Sequence, residues 1–240
     1  MSEQDRAPSR ITASENWDRL AKFDAMWTIL SDSTKLGGKW DREEFFATGA
    51  GIFARLDAIE RLGARINYGV AVDFGCGVGR VSQWLAKRFS RVVGVDISPR
   101  MLELAERYNT ESAAITFVLG NEVNVPLATS SADLVYSFIV LQHIGKAMQQ
   151  QYLREFSRIA RPGGYLCFQV PSHPLDGGKP NFSVGLMTDS GPATIEINTY
   201  PRAEVESHLE SCGCKIVGVL NDDSCGSGMK SYFYVAQKQS

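Results

Sequence analysis

Apolar residues in this chain switch between two spacings, and the switching outlines an architecture. Between 16 and 30, Trp17, Leu20, Ala21, Phe23, Met26, Trp27 and Leu30 recur at near-helical intervals, which predicts an amphipathic helix. A second helix is predicted over 55–62, where Leu56, Ile59 and Leu62 share a face and Gly63 follows as a stop. Short apolar runs then take over: one opening at Val70, then 91–96, 115–119, 132–138 and 165–170. Runs of this length read as buried strands. Helical faces separate them: Val81, Trp84, Leu85 and Phe89; then Met101, Leu102, Ala105 and Tyr108; then Met148, Tyr152, Phe156 and Ile159. Ser98-Pro99 opens the middle helix as cap and first residue. Pro162-Gly163-Gly164 stops the last one. Pro201 starts a further helix with Val205, Leu209 and Cys212 on its face, and 215–220 and 231–236 read as closing strands. Strands alternating with helices at this rhythm predict an α/β fold, a parallel sheet covered on both faces.

Two stretches break the rhythm. The segment 40–49 is aromatic without clear periodicity; packing is the default reading, a lid the sharper one. From 171 to 198 glycines and prolines dominate, and a long, weakly patterned segment inside a compact domain is usually a functional loop or lid. The predicted division is a mobile tail at 1–15 and a single domain at 16–240. Within it lie a helical cap (16–66), a cofactor-binding core (67–170), a substrate loop or lid (171–200), and a C-terminal helix with closing strands (201–240).

Composition narrows the partners. The net charge of −2 over 240 residues gives no electrostatic reason to expect nucleic acid or an anionic membrane. No apolar run approaches the roughly 18 residues that a membrane span needs. The first 15 residues are polar, unlike a secretory signal, and the five cysteines form an odd set. A cytoplasmic protein with reduced thiols is the expectation. Cys212 and Cys214 lack a second ligand pair, so no metal is expected.

The chemistry concentrates at 70–80, Val-Ala-Val-Asp-Phe-Gly-Cys-Gly-Val-Gly-Arg. Gly75, Gly77 and Gly79 permit turns that a Cβ forbids and let a ligand lie against the main chain. The following helix presents free N–H groups to that ligand. Asp96 stands 21 positions beyond Gly75, at the end of the next apolar run, where a βαβ nucleoside site puts its ribose acceptor. Dinucleotide enzymes use G-x-G-x-x-G to seat a pyrophosphate. The closer G-x-G-x-G spacing here suits a ligand without phosphate.

With these residues in view, the chain resembles the class I S-adenosylmethionine-dependent methyltransferases of the small-molecule group. The likeness rests on Val-Asp-Phe-Gly-Cys-Gly-Val-Gly at 72–79, Asp96 in Val-Gly-Val-Asp-Ile-Ser-Pro-Arg-Met, Ala-Asp-Leu-Val-Tyr-Ser-Phe-Ile-Val-Leu-Gln-His-Ile at 132–144, and Arg158 before Pro162-Gly163-Gly164. It departs at Gly120-Asn121, where the family usually has Gly-Asp; an asparagine carbonyl still accepts a hydrogen bond from an adenine amine. The resemblance implies a Rossmann-like doubly wound sheet of seven strands, mostly parallel with the last antiparallel. It implies S-adenosyl-L-methionine as cofactor and S-adenosyl-L-homocysteine as product. It places Asp73, Gly75, Gly77 and Gly79 at the methionine end, with Arg80 a candidate for its carboxylate. Asp96 would hold the ribose, Ile97 and Met101 would flank adenine, Asn121 and Glu122 would lie near its amine, and Phe138 beside the methyl.

Transfer to a hydroxyl or ammonium requires a base near neutral pH. His143, just past the fourth strand, and His173, just past the fifth, are the candidates; His208 lies inside the last helix. A carboxylate acceptor needs no base. The strand-four region lacks the Asn/Asp-Pro-Pro-aromatic step of amino-group methylation on bases, and no Pro-Cys step occurs, so a small metabolite or sugar is the expected acceptor and O-methylation the expected reaction. A nicotinamide oxidoreductase and a non-catalytic S-adenosylmethionine-binding module are the alternatives.

Overall fold

The computed structural model describes residues 11–111, 113–226 and 228–240. The expected tail falls largely outside them. Where it does not, it is corrected: Thr12 caps a helix, its side chain accepting from the Glu15 N–H while Glu15 reaches back, a reciprocal box that starts α1 (Ala13–Ile29). α1 kinks at Asp24, whose carboxylate turns away to accept the N–H groups of Gly37 and Gly38. The aromatic stretch is helical too: α2 (Arg42–Ala47) runs through a tight turn at Thr48–Ala50 into α3 (Gly51–Arg61).

β1 (Val70–Phe74), β2 (Arg91–Asp96), β3 (Ile115–Leu119), β4 (Ala132–Ser137) and β5 (Ala160–Pro174) are parallel neighbours. The crossovers are α4 (Ser82–Leu85), α5 (Pro99–Tyr108) and α6 (Lys146–Ile159). α7 (Arg202–Ser211) leads to β8 (Cys214–Asp222), and β9 (Met229–Lys238) inserts antiparallel between β5 and β8. The order β3-β2-β1-β4-β5-β9-β8 is the seven-stranded, doubly wound sheet expected. One face buries Ile52, Leu56, Ile59 and Leu85 of α3 and α4; the other buries Tyr152, Phe156, Val205 and Leu209 of α6 and α7. Strands apolar on both sides, such as Ala71-Val72 and Leu134-Val135, are what this sandwiching requires.

Two family-like features have purely structural duties. Asp133, at the start of β4, accepts from the Val70 N–H and from Arg161. It therefore staples the edge opposite the glycine turn. Arg158 donates to the carbonyls of Val125 and Leu127 and pairs with Glu155, clamping the loop between β3 and β4.

The 171–200 segment is not an irregular loop. β5 continues to Pro174 because β9 pairs with it that far, and a hairpin follows, β6 (Phe182–Thr188) and β7 (Gly191–Ile197).

Candidate functional site

At the carboxyl end of β1 the chain turns through Gly75, Gly77 and Gly79 with φ of +74°, +54° and +82°. An L side chain costs roughly 1–2 kcal/mol in that region. Space is closed as well: a Cβ on Gly75 would lie 2.4 Å from Val140, and one on Gly77 would lie 2.6 Å from Ile29. The turn is bound to β2. Gly75 and Cys76 donate to the Val95 carbonyl at 2.7 and 3.0 Å. Gly77 N–H donates to Asp96 Oδ2 at 2.8 Å, and Ser98 N–H to Asp96 Oδ1 at 2.9 Å. Burial pushes the Asp96 carboxyl upward, and those backbone donors oppose it. A carboxylate thus sits one strand from a bare main-chain turn.

Asp73, buried beneath the turn, accepts the Ser82 hydroxyl at 2.6 Å. Burial raises its carboxyl to about 6, against the pull of Ser82 and Arg80. Arg80 is 7% exposed; its Nη1 reaches Thr48 Oγ1 at 3.3 Å and its Nε has no partner. Burial lowers its pKa. An enclosed guanidinium with an unmet donor is costly unless an anion answers it. Bare glycine backbone, an orphaned guanidinium N–H and a carboxylate on the next strand fit the amino-acid and ribose ends of S-adenosylmethionine.

α1 roofs this turn. Ala13 N–H donates to Glu122 at 2.7 Å, Ser14 Oγ to the Ile97 carbonyl at 2.8 Å, and Asp18 accepts from Ser98 and Arg100. Met101 is buried with Ala21, Phe45 and Val78 under that roof. Trp40, Phe45, Phe46 and Tyr108 pack edge to face in series, so the aromatic stretch is core here. Asn121 departs from expectation. Its Oδ1 already accepts the N–H groups of Val123 and Asn124, occupying both lone pairs in a local turn and leaving none for an adenine amine.

Beyond β4 the rim has a different character. Phe138 packs against Tyr136 and Phe233, with the Arg55 guanidinium 3.8 Å above its ring; these contacts turn it toward α3 and β9. Ile139 holds φ +58°, strained for a β-branched residue, and aims Val140 at Gly75. His143 Nδ1 lies 2.7 Å from the Glu196 carbonyl, Nε2 lies 3.3 Å from Gln142 Nε2, and its ring meets Trp17 at 5.2 Å. A carbonyl only accepts, so Nδ1 carries the proton and the Nε2 lone pair faces the Gln142 amide. Burial lowers its pKa and keeps it neutral. His143 joins the post-β4 turn, the hairpin and α1. His173 is exposed, touches Ser172, and pairs across the strand with Lys230; the structure does not bring it to the glycine turn. His208 contacts the Gln150 carbonyl, away from the rim. Val140, Ile29 and Asp18 were invisible to sequence reasoning because ordinary residues carry no signal of a distant contact.

The family described as a methyltransferase domain matches residues 72–168, the stretch from the glycine turn to β5. A methyltransferase from Streptomyces halstedii is 32% identical over 158 residues, covering 63% of this chain and 56% of that protein. The chain spans between 20% and 64% of the length of the curated relatives it matches. An S-adenosylmethionine-dependent methyltransferase from Clostridium acetobutylicum superposes with a TM-score of 0.67 at 15% identity, over 92% of this chain and 99% of that one. S-adenosylmethionine-bound CalS10 from Micromonospora echinaspora, an amino pentose methyltransferase, superposes with a TM-score of 0.59 at 18% identity, over 83% and 98%. Match and fold agree: residues 72–168 match the methyltransferase-domain family, and the sheet around them is the Rossmann-like one of those solved methyltransferases. This chain is thus similar in fold to the S-adenosylmethionine-dependent methyltransferases, and CalS10 among them is solved with S-adenosylmethionine bound. Among the described residues, no helix is long and apolar enough to cross a membrane, and no cluster of side chains suits a metal ion.

Proposed function

We propose that this chain transfers a methyl group from S-adenosylmethionine to a small molecule, a sugar or secondary metabolite, at a hydroxyl or carboxyl oxygen. One observation carries the reading: Asp96 and the Gly75–Gly79 turn are hydrogen-bonded into a single carboxylate-and-backbone cradle beside the unpartnered Nε of Arg80. When bound, the cofactor supplies an electrophilic methyl, so the protein's part is alignment, worth up to about 7–11 kcal/mol. In this reading Gly75, Gly77, Gly79 and Asp73 receive the amino-acid end and Arg80 its carboxylate. Asp96 turns from the Gly77 N–H to the ribose hydroxyls. Ile97 and Met101 line the adenine, and Glu122 tethers α1 over it.

The acceptor would enter between the post-β4 turn and the hairpin, where the buried Gln142 Oε1 lacks a donor. His143 serves as a joint there, and as a base only when Nε2 leaves Gln142. That arrangement favours an acceptor needing little deprotonation. Kinship with an amino pentose enzyme in fold supports a polar, sugar-sized acceptor.

Calorimetry with S-adenosylmethionine, S-adenosylhomocysteine and NAD tests the reading. Binding of the first two and not the third is expected, and Asp96→Ala should weaken it about tenfold or more, as expected for hydrogen bonds to a charged group. Unchanged affinity in a folded Asp96→Ala would remove Asp96 from the site; affinity for NAD alone would favour the oxidoreductase. Donor binding without turnover across a broad acceptor screen would favour a non-catalytic module.

A further inference from the structure

The two edges of the β6–β7 hairpin are finished differently. Along β7, Pro192 O accepts from Arg19 at 2.8 Å, Thr194 exchanges two 2.8 Å bonds with the Asn16 side chain, and Glu196 O meets His143 at 2.7 Å. These are alternate residues, so they mark the positions whose backbone faces away from β6. Their partners in register are Met187, Gly185 and Ser183, which therefore face outward on β6. No hydrogen bond among the described residues outside the hairpin ladder reaches the backbone of those three. The same strand exposes Phe182, Val184 and Met187, at 46%, 52% and 77%. An open, apolar edge strand is a template for another strand.

We propose that this edge is where two copies of the chain join: β6 of one pairs antiparallel with β6 of the other about a two-fold axis at Val184, making a four-stranded sheet. Outward-facing positions must pair with outward-facing ones. An axis at Val184 satisfies this by setting Ser183 against the second copy's Gly185, and Asn181 against its Met187. It also stacks Phe182 on Leu186 and Val184 on itself, an apolar strip. Charge selects the register. Lys179 falls opposite Asp189, twice by symmetry, and neither has an ion-pair partner among the described residues. An axis one residue earlier puts Lys179 against Met187; one residue later puts Asp189 against Asn181. Only the central register joins opposite charges. Because α1 and His143 hold the β7 edge, the second copy would brace the hairpin from its other side.

Sedimentation equilibrium of the full chain at micromolar concentration tests this. A dimer is expected. Lys179→Asp and Asp189→Lys should each weaken it about tenfold, since two pairs are reversed per dimer. The combined Lys179→Asp, Asp189→Lys swap should return it to within about twofold of the original. Val184→Asp, which opposes two carboxylates at the axis, should give monomers, with circular dichroism confirming the fold. A monomeric parent chain, a dimer indifferent to Val184→Asp, or a swap that fails to restore association would overturn the proposal.

Discussion

The rim of the sheet has two halves built from different materials. Over β1 and β2 the cradle is main chain: three left-handed glycines, backbone donors to one carboxylate, and a guanidinium whose Nε lacks a partner. Over β4 and β5 the rim is side chain: Phe138 under Arg55, His143 held on three sides, His173 turned outward. A site made of backbone tolerates few sequences and leaves a spacing that can be read. A site made of side chains meeting across the fold leaves none. The contrast explains why the half proposed for the cofactor announces itself and the half proposed for the acceptor does not.

The largest expected effect comes from filling the first half. Gly75→Val meets Val140 at 2.4 Å and a φ of +74°. Strain of about 1–2 kcal/mol plus overpacking of about 1–3 kcal/mol should lower the unfolding midpoint and abolish donor binding. A variant that still binds S-adenosylmethionine normally would break the comparison at its root.

Asp73→Asn separates stability from binding in the same half. The native carboxyl, raised from the ordinary 3.8 to about 6, holds an extra proton between those values. Its burial therefore helps folding as pH falls below 6 and costs stability as pH rises through 6. Removing the charge should stabilise the protein by about 1–3 kcal/mol at pH 8 and by almost nothing at pH 4. Donor affinity should fall at both. Equal stability changes at the two pH values, read by thermal unfolding, would contradict a buried ionised Asp73.

Smaller effects are expected in the second half. His143→Ala removes a joint and should cut turnover about tenfold through misalignment of the acceptor, with donor affinity unchanged. Because burial holds His143 neutral below its ordinary range, parent activity should be level above about pH 6.5 and decline only at lower pH. Loss of donor binding in His143→Ala, measured by calorimetry, would instead make the two halves one. His173→Ala should change turnover less than about twofold, as for an exposed side chain; a large loss would return it to the site.

Most of the parallel sheet was legible, since β1 to β5 each carry a short apolar run and helices with apolar faces divide all but β3 from β4. Ser98 and Pro99 mark α5 as clearly in the structure as in the sequence. The hairpin was hidden. Its glycines and prolines resemble a loop, and its strands exist through pairing with each other and with Asn16 and Arg19, partners far away in the chain. The roof over the cradle was hidden for the same reason: periodicity showed an amphipathic α1 but not where its apolar face lies. Asn121 misled because an available lone pair was inferred from residue type, whereas the local turn consumes it.

The central claim is that Asp96 and the glycine turn form one cradle for the methyl donor. Calorimetric titration of the purified chain with S-adenosylhomocysteine, beside Asp96→Ala and Gly75→Val, tests it most directly. One site per chain, weakened about tenfold or more by the first change and abolished by the second, is the predicted result. Undiminished binding in either folded variant would contradict it.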